Sequence, residues 1–205
     1  MVAFDVDGVL ADSVHGFTRW AQRRLGVADA ELGPFDDYTD FLTRWPAHHH
    51  EALGRLFCEV YVDGAHGVYD QSAVIEGALD GVWSLHEAGL ASGFVTRRPS
   101  TLHRLTRDWL TRAGFPTLPL RHADGGLPKA PRVRDLGALV MVEDSPVEAE
   151  DLAAAGVRVL LRHEPYNARV ERAGVVRCAG WAAVLEQARV WLPNHHDALQ
   201  DVATL

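Results

Sequence analysis

From residue 74 onward, short apolar runs alternate with amphipathic stretches, and this alternation constrains the fold more than any other feature. Residues 90–95, 138–142 and 157–161 have the length and apolar content of buried strands. The stretches between them have helical periodicity, and several end in glycine. Strands separated by helices are typical of a parallel sheet that is covered on both faces, so the predicted class is α/β and Rossmann-like.

A further strand is predicted at residues 2–6, and a helix begins after it at Asp12-Ser13. Residues 14–73 differ in texture, since they are rich in aromatic residues and histidine and show no strand-like alternation. We therefore predict a small helical cap, residues 14–73, inserted after the first strand. Residues 1–13 and 74–205 form the predicted core domain.

The aromatic residues of this insert have two interpretations. They can form the insert's own small core, which is favoured for any given residue, or they can stack on a nucleobase. The residues are Phe17, Trp20, Phe35, Tyr38, Phe41, Trp45, Phe57 and Tyr61.

The charge and cysteine content narrow the class of protein. A formal net charge of −8 argues against a nucleic-acid polymer or an anionic membrane as the main partner. The two cysteines, Cys58 and Cys178, lack CxxC spacing, which suits a reducing compartment. With a strand at residue 2 and no apolar stretch of membrane-spanning length, we expect a soluble cytoplasmic protein, monomeric or homodimeric.

The first strand ends in Asp5 and Asp7, followed at once by Gly8. Residues two apart on a strand lie on the same side, where two carboxylates repel each other unless a cation or a shared proton lies between them. Glycine lets the backbone turn sharply and approach a ligand. The stretch therefore predicts a site for a hard metal ion at the carboxyl end of this strand.

Two other strands also end in residues that can do chemistry, Thr96-Arg97-Arg98 and Glu143-Asp144-Ser145. Ligands of open α/β sheets bind outside the carboxyl ends of the strands, so the three sets should converge. Lys129 is the only lysine among 20 basic residues, which suggests a compact positive charge placed on an anion.

Residue type then indicates roles. Carboxylates are hard oxygen ligands that favour Mg²⁺ over zinc, and Thr96 and Lys129 suit the oxygens of a phosphoryl group. One of Arg97 and Arg98 is expected to reach the substrate and the other to be a surface charge. The residues alone do not distinguish them, and we place Arg97 in the phosphate-binding set.

The stretches DVDGVLAD, Thr96, Lys129 and VEDSP resemble, in order and spacing, the four motifs of the haloacid-dehalogenase-like phosphohydrolases. The resemblance implies that Asp5 attacks phosphorus and forms an aspartyl-phosphate. It implies that Asp7 protonates the leaving oxygen and then activates water, while its backbone carbonyl reaches the metal. Thr96 and Lys129 would hold the phosphoryl oxygens, and Asp144 with Glu143 would complete a Mg²⁺ site with Asp5 and Asp7. An aspartate at position 7 is not found in dehalogenases.

The insert resembles the C1-type cap of that family. Two stretches, residues 96–116 and residues 142–167, resemble its 5′(3′)-deoxyribonucleotidase-like members. The better-known deoxyribonucleotidases carry paired aspartates where this chain has Glu143-Asp144, a pair found in sugar-phosphate phosphatases and hexose-phosphate mutases. The leading hypothesis is a Mg²⁺-dependent phosphatase for a small phosphorylated metabolite, by preference a nucleoside monophosphate. A sugar-phosphate phosphatase or phosphosugar mutase is the nearest alternative, and a non-catalytic binding module is a third.

Overall fold

Six parallel strands form one sheet in the computed structural model, which describes residues 1–36, 41 and 43–192. The strands are β1 (Val2–Phe4), β2 (Ala91–Thr96), β3 (Leu120–His122), β4 (Val140–Glu143), β5 (Arg158–Arg162) and β6 (Val175–Cys178). The helices are α1 (Ser13–Leu25), α2 (His50–Tyr61), α3 (Ala78–Glu87), α4 (His103–Arg112), α5 (Lys129–Asp135), α6 (Pro146–Ala154) and α7 (Trp181–Trp191). Short 3₁₀ turns complete several of the connections.

The alternation of side chains along the strands produces two buried cores, one on each face of the sheet. Phe4 and Val142 belong to one cluster with side chains of α3, α4 and α7. Ala3 and Met141, their neighbours in sequence, belong to the other cluster with side chains of α5 and α6. The parallel sheet with helices on both faces confirms the predicted fold class.

The strand order is β3-β2-β1-β4-β5-β6, which places β1 in the interior of the sheet. After β3 the chain crosses back and adds β4 on the other side of β1. The carboxyl ends of β1 and β4 therefore border a topological switch point, where open α/β sheets bind their ligands. Asp5 directly follows β1 and Glu143 ends β4, so both reach this crevice.

The predicted insert contains α1 and α2, and its buried apolar side chains form a third cluster that includes Phe17 and Leu53. All the members of this cluster belong to residues 17–68, and none is shared with the two sheet cores. Ala11 and Val74, which flank the insert, form an antiparallel bridge. The division into cap and core at residues 13/14 and 73/74 stays a prediction.

The sequence pattern does not predict β3 and β6, the two edge strands. Both are short and carry exposed arginines, Arg121 and Arg177, so their strand conformation depends on pairing with β2 and β5. Among the helices of the described residues, none combines the length and apolar character needed to cross a membrane. Tyr38 and residues 193–205 of the predicted core domain lie outside the described residues.

Candidate active site

Lys129 lies between two buried carboxylates at the centre of the crevice. Its Nζ donates a hydrogen bond to Asp5 Oδ2 at 2.7 Å and to Glu143 Oε2 at 2.8 Å. Lys129 is the first residue of α5 and is 2% exposed. Burial alone would lower the pKa of Lys129, but the two carboxylates outweigh burial and raise this pKa above its ordinary value. The single lysine of the chain is therefore held as a cation.

Asp144 joins Asp5 and Glu143 in a cluster of buried carboxylates whose ligand oxygens all lie within 4.8 Å of one another. With the three carboxylates ionised and Lys129 protonated, the charge of the group is −3 + 1 = −2. Burial, followed by neighbouring carboxylates, raises the pKa of Asp5 well above its ordinary value. Burial and Asp5 together raise the pKa of Asp144 to about 6. The group holds more negative charge than its own lysine neutralises.

Asp144 fits beside the turn after β1 only because residue 8 is glycine. Gly8 has φ +74, and a Cβ at this position would lie 2.0 Å from Asp144 Oδ2. On the other side, the Tyr166 hydroxyl donates to Asp144 Oδ2, and Asn167 Nδ2 donates to the Asp144 carbonyl at 2.8 Å. The close backbone approach that the sequence predicts for Gly8 is thus an approach to a carboxylate of the site.

Asp7 lies apart from this cluster, because its carboxylate forms an ion pair with Arg98. Arg98 Nη2 donates to Asp7 Oδ1 at 2.7 Å, and Arg98 Nε donates to Asp7 Oδ2 at 2.9 Å. The Asp7 side chain is 22% exposed, whereas that of Arg98 is fully buried. The Asp7 side chain is not a member of the carboxylate cluster, so its backbone carbonyl is the part that stays a predicted metal ligand.

The remaining predicted phosphate-binding residues lie at the carboxyl end of β2. Thr96 is fully buried, and its Oγ1 accepts a hydrogen bond from the Arg98 backbone N–H at 3.1 Å. The Arg97 side chain donates to Glu148 Oε1 at 2.6 Å and to the carbonyl of Ala123 at 2.8 Å. Of the two arginines, Arg97 is therefore anchored to the surrounding core, and Arg98 is the one that contacts a predicted catalytic residue.

A cavity of about 860 Å³ opens above these groups, between the core and the insert. Its floor includes Asp5, Asp7, Lys129 and Asp144. The described lining residues from the insert carry no charge: Val14, Phe35, Phe41, Gly54, Phe57, Cys58, Tyr61, Val62 and Tyr69. The cavity therefore joins an ionic floor to an apolar and aromatic roof. Phe17 and Trp45, by contrast, pack in the insert's own core, as the first interpretation of the insert aromatics predicts, whereas stacking on a nucleobase stays a prediction for the aromatics that line the cavity.

This arrangement fits a divalent metal ion that prefers oxygen ligands. All three clustered side chains offer hard oxygen donors, and a +2 ion would balance the −2 charge of the group. Gly8 supports this fit, since any side chain there would displace Asp144 from the cluster. Asp5, Glu143 and Asp144 are therefore the residues that could hold the ion.

Several residues that shape the site are not predicted from the sequence pattern. Tyr166 and Asn167 lie shortly after β5, so the strand-end rule applied to a fourth strand could have found them. No signal in the sequence distinguishes Tyr69, whose ring stacks under the Arg98 guanidinium at 4.0 Å.

No family model and no curated protein matches this chain. Solved structures do match it. A HAD family hydrolase from Deinococcus radiodurans with bound phosphate and sodium is 17% identical, covers 95% of both chains and has a TM-score of 0.61. A defluorinating L-2-haloacid dehalogenase is 13% identical over 92% of this chain and 94% of its own, with a TM-score of 0.58. A Thermotoga maritima protein assigned as a beta-phosphoglucomutase is 16% identical over 93% of this chain and 99% of its own, with a TM-score of 0.57.

These similarities show a shared fold. Because the three names cover different reactions, the reaction of this chain has to be argued from the residues of its own site.

Proposed function

We propose that this protein is a Mg²⁺-dependent phosphomonoester hydrolase that acts through an aspartyl-phosphate. The observation that carries the proposal is the buried group of Asp5, Glu143, Asp144 and Lys129, of which Asp5, Asp144 and Lys129 line the floor of a cavity at the switch point of the sheet. Phosphoryl transfer depends mainly on positioning and on electrostatic stabilisation of phosphoryl oxygens, and this group offers both.

The carboxylate of Asp5 is fixed for attack at phosphorus. Its Oδ1 accepts a hydrogen bond from the Val6 backbone N–H at 2.8 Å, while Oδ2 accepts one from Lys129. In the first step a bond forms between Asp5 oxygen and phosphorus, the ester bond breaks, and the leaving oxygen takes a proton from Asp7. In the second step Asp7 takes a proton from water, the water oxygen bonds to phosphorus, and the Asp5–phosphorus bond breaks to release phosphate.

Lys129 and Thr96 are the proposed ligands of the phosphoryl oxygens, with Arg97 as the third member of the predicted set. For the metal, Asp5 and Asp144 line the cavity, whereas Glu143 is fully buried, does not line the cavity, and accepts hydrogen bonds from Lys129 and from the backbone N–H groups of Asp144 and Ser145. We therefore assign direct contact with the ion to Asp5 and Asp144, and charge balance to Glu143. Bound Mg²⁺ would neutralise the phosphoryl charge as the ester bond breaks.

The roof of the cavity supports a nucleoside monophosphate as substrate. Phe35, Phe41 and Phe57 offer aromatic faces, and none of the described insert residues that line the cavity is a cation that would bind a second phosphate or a carboxylate. A sugar phosphate is the second candidate. It is supported by the Glu143-Asp144 pair, and by the fold that the chain shares with the protein assigned as a beta-phosphoglucomutase.

The test is phosphate release from a panel of nucleoside monophosphates and hexose phosphates, with Mg²⁺ and with chelator. We expect release that requires Mg²⁺, is abolished in Asp5→Asn and is unchanged in Asp151→Asn, a control at an exposed position of α6. Release that survives Asp5→Asn or chelation would refute the mechanism. Turnover that requires a bisphosphate primer would identify a mutase, and no release from a folded chain would favour a binding module.

The substrate preference has a separate test in Phe57→Ala. Phe57 is 41% exposed and lines the roof, so its removal should leave the core intact. We expect KM for nucleoside monophosphates to rise about tenfold, since base–aromatic stacking contributes about 1–3 kcal/mol. KM for hexose phosphates and the kcat values should change little. Equal effects on both substrate classes would argue against a nucleobase under the roof.

A further inference from the structure

Arg98 is the largest fully buried side chain of the protein among the described residues, and the phosphatase reaction does not by itself require it. Its guanidinium lies 4.0 Å from the centre of the Tyr69 ring and 5.8 Å from that of Trp109. Its backbone N–H donates to Thr96 Oγ1, and its carbonyl is 2.8 Å from His122 Nδ1. Both the guanidinium group and the backbone of Arg98 are therefore held in place by their neighbours.

The fixed guanidinium has one charged partner, Asp7. Nε and Nη2 contact the two carboxylate oxygens in the fork geometry that holds both groups in one plane. The Asp7 carboxylate consequently cannot rotate independently of Arg98. Both residues line the cavity, but the Arg98 side chain is shielded from solvent, whereas the Asp7 side chain keeps an exposed edge.

Burying a guanidinium completely is expensive, and apolar residues of similar volume would stabilise a fold as well or better. A structural explanation alone is therefore weak for an ion pair at the edge of the reaction cavity. Proton transfer in phosphoryl transfer requires the acid to lie within hydrogen-bond reach of the leaving oxygen, and small displacements are costly. A clamp on the carboxylate meets that requirement.

We propose that Arg98 is a positioning residue that holds Asp7 in the orientation needed for proton transfer to the leaving group and from water. This assignment rests on the proposed function. It gives the second arginine of the Thr96-Arg97-Arg98 stretch a role that differs from phosphate binding. Tyr69 supports the clamp by stacking on the face of the guanidinium.

The test compares Arg98→Met with Arg98→Lys, which keeps the charge but loses the fork. Arg112→Met is the control, because it breaks an exposed Arg–Asp pair with Asp70 outside the cavity. The assay measures kcat/KM for phosphate esters whose leaving groups range from acidic phenols to alkyl alcohols. Poor leaving groups need a proton in the first step, so a misplaced acid should affect them most.

For Arg98→Met we expect a loss of about 100-fold or more with alkyl esters and about tenfold or less with aryl esters. Arg98→Lys should be intermediate, and Arg112→Met should match the unmodified chain. Guanidinium ions added to Arg98→Ala should restore part of the alkyl-ester activity. A variant that combines Arg98→Met with Asp7→Asn should lose no more than the worse single variant, because both act on one proton transfer.

If Arg98→Met fails to fold, Tyr69→Leu tests the same clamp without removing the charge, and should show a smaller loss with the same dependence on leaving group. Losses that are equal for every leaving group, or that multiply in the double variant, would overturn the assignment of Arg98. Absence of turnover in the unmodified chain would instead overturn the proposed function on which the assignment rests.

Discussion

Replacing Lys129 with methionine tests the electrostatics of the site directly. The substitution keeps an apolar stem of similar shape but removes both hydrogen bonds of the ammonium group, at 2.7 Å to Asp5 and 2.8 Å to Glu143. The metal-free group then changes from a charge of −2 to −3 in a buried setting. Removing one partner of a buried ion pair typically costs about 3–5 kcal/mol, and we expect a loss of this size at pH 8 with chelator.

The loss should depend on pH with a definite sign. Burial and neighbouring carboxylates already raise the pKa values of Asp5 and Glu143, and removing the cation raises them further. Acids with a raised pKa in the folded state take up protons there first, so the folded state gains stability as pH falls. The difference between Lys129→Met and the unmodified chain should therefore shrink between pH 8 and pH 5. Mg²⁺ at 100 times its Kd for the variant should stabilise the variant by about 2.7 kcal/mol relative to the variant with chelator.

Urea unfolding, monitored by tryptophan fluorescence, measures these differences in the free energy of unfolding. Arg112→Met is again the matched control, since its ion pair with Asp70 is exposed and should contribute less than about 1 kcal/mol. A Lys129→Met variant that loses under about 1 kcal/mol at pH 8, whose loss is independent of pH, or that gains no stability with Mg²⁺, would refute this account of the site.

Three further predictions concern the metal site. Gly8→Ala should abolish measurable Mg²⁺ binding in titration calorimetry. The control is Gly81→Ala, whose Cβ would lie 2.3 Å from Trp181, and which should reduce stability but leave Mg²⁺ binding intact. Equal Mg²⁺ binding by both variants would contradict the role of Gly8. In the unmodified chain the pKa of Asp144 is about 6, so Mg²⁺ affinity should rise about tenfold per pH unit below pH 6 and more slowly above pH 6. A Mg²⁺ affinity that does not depend on pH would contradict the assignment of Asp144 as a ligand with this pKa. Tyr166→Phe removes a hydrogen bond that lowers the pKa of Asp144, so the pH dependence of binding should shift to higher pH, and no shift would argue against that bond.

The interior of the sheet could be predicted from sequence, and its edges could not. The runs that became β1, β2, β4 and β5 are apolar because both of their faces are covered. Residues 120–122 and 175–178 have no such pattern, because an edge strand has a neighbour on one side and needs fewer apolar residues. These residues form strands because they pair with β2 and β5 in the folded sheet.

Some features of the site could likewise be predicted from sequence, and others could not. The rule that ligands bind at strand ends correctly brings Asp5 and Glu143-Asp144 together, and the composition singles out Lys129, which contacts Asp5 and Glu143. It does not distinguish Arg97 from Arg98, because adjacent residues have the same local pattern and differ only in what each side chain meets. One meets Glu148 on α6, and the other meets a carboxylate 91 positions earlier in the chain.

The bridge between Ala11 and Val74 has a consequence for how such a protein can diversify. The two connectors are also joined by hydrogen bonds from Asp12 N–H to the Ala73 carbonyl and from Ile75 N–H to the Leu10 carbonyl, at 2.9 and 2.8 Å. The chain therefore leaves the sheet domain and returns to it through two adjacent, hydrogen-bonded connectors. Its length and sequence can drift, or be exchanged in the laboratory, without moving the strands that carry the reactive groups. Selectivity and chemistry can thus evolve on separate parts of one chain.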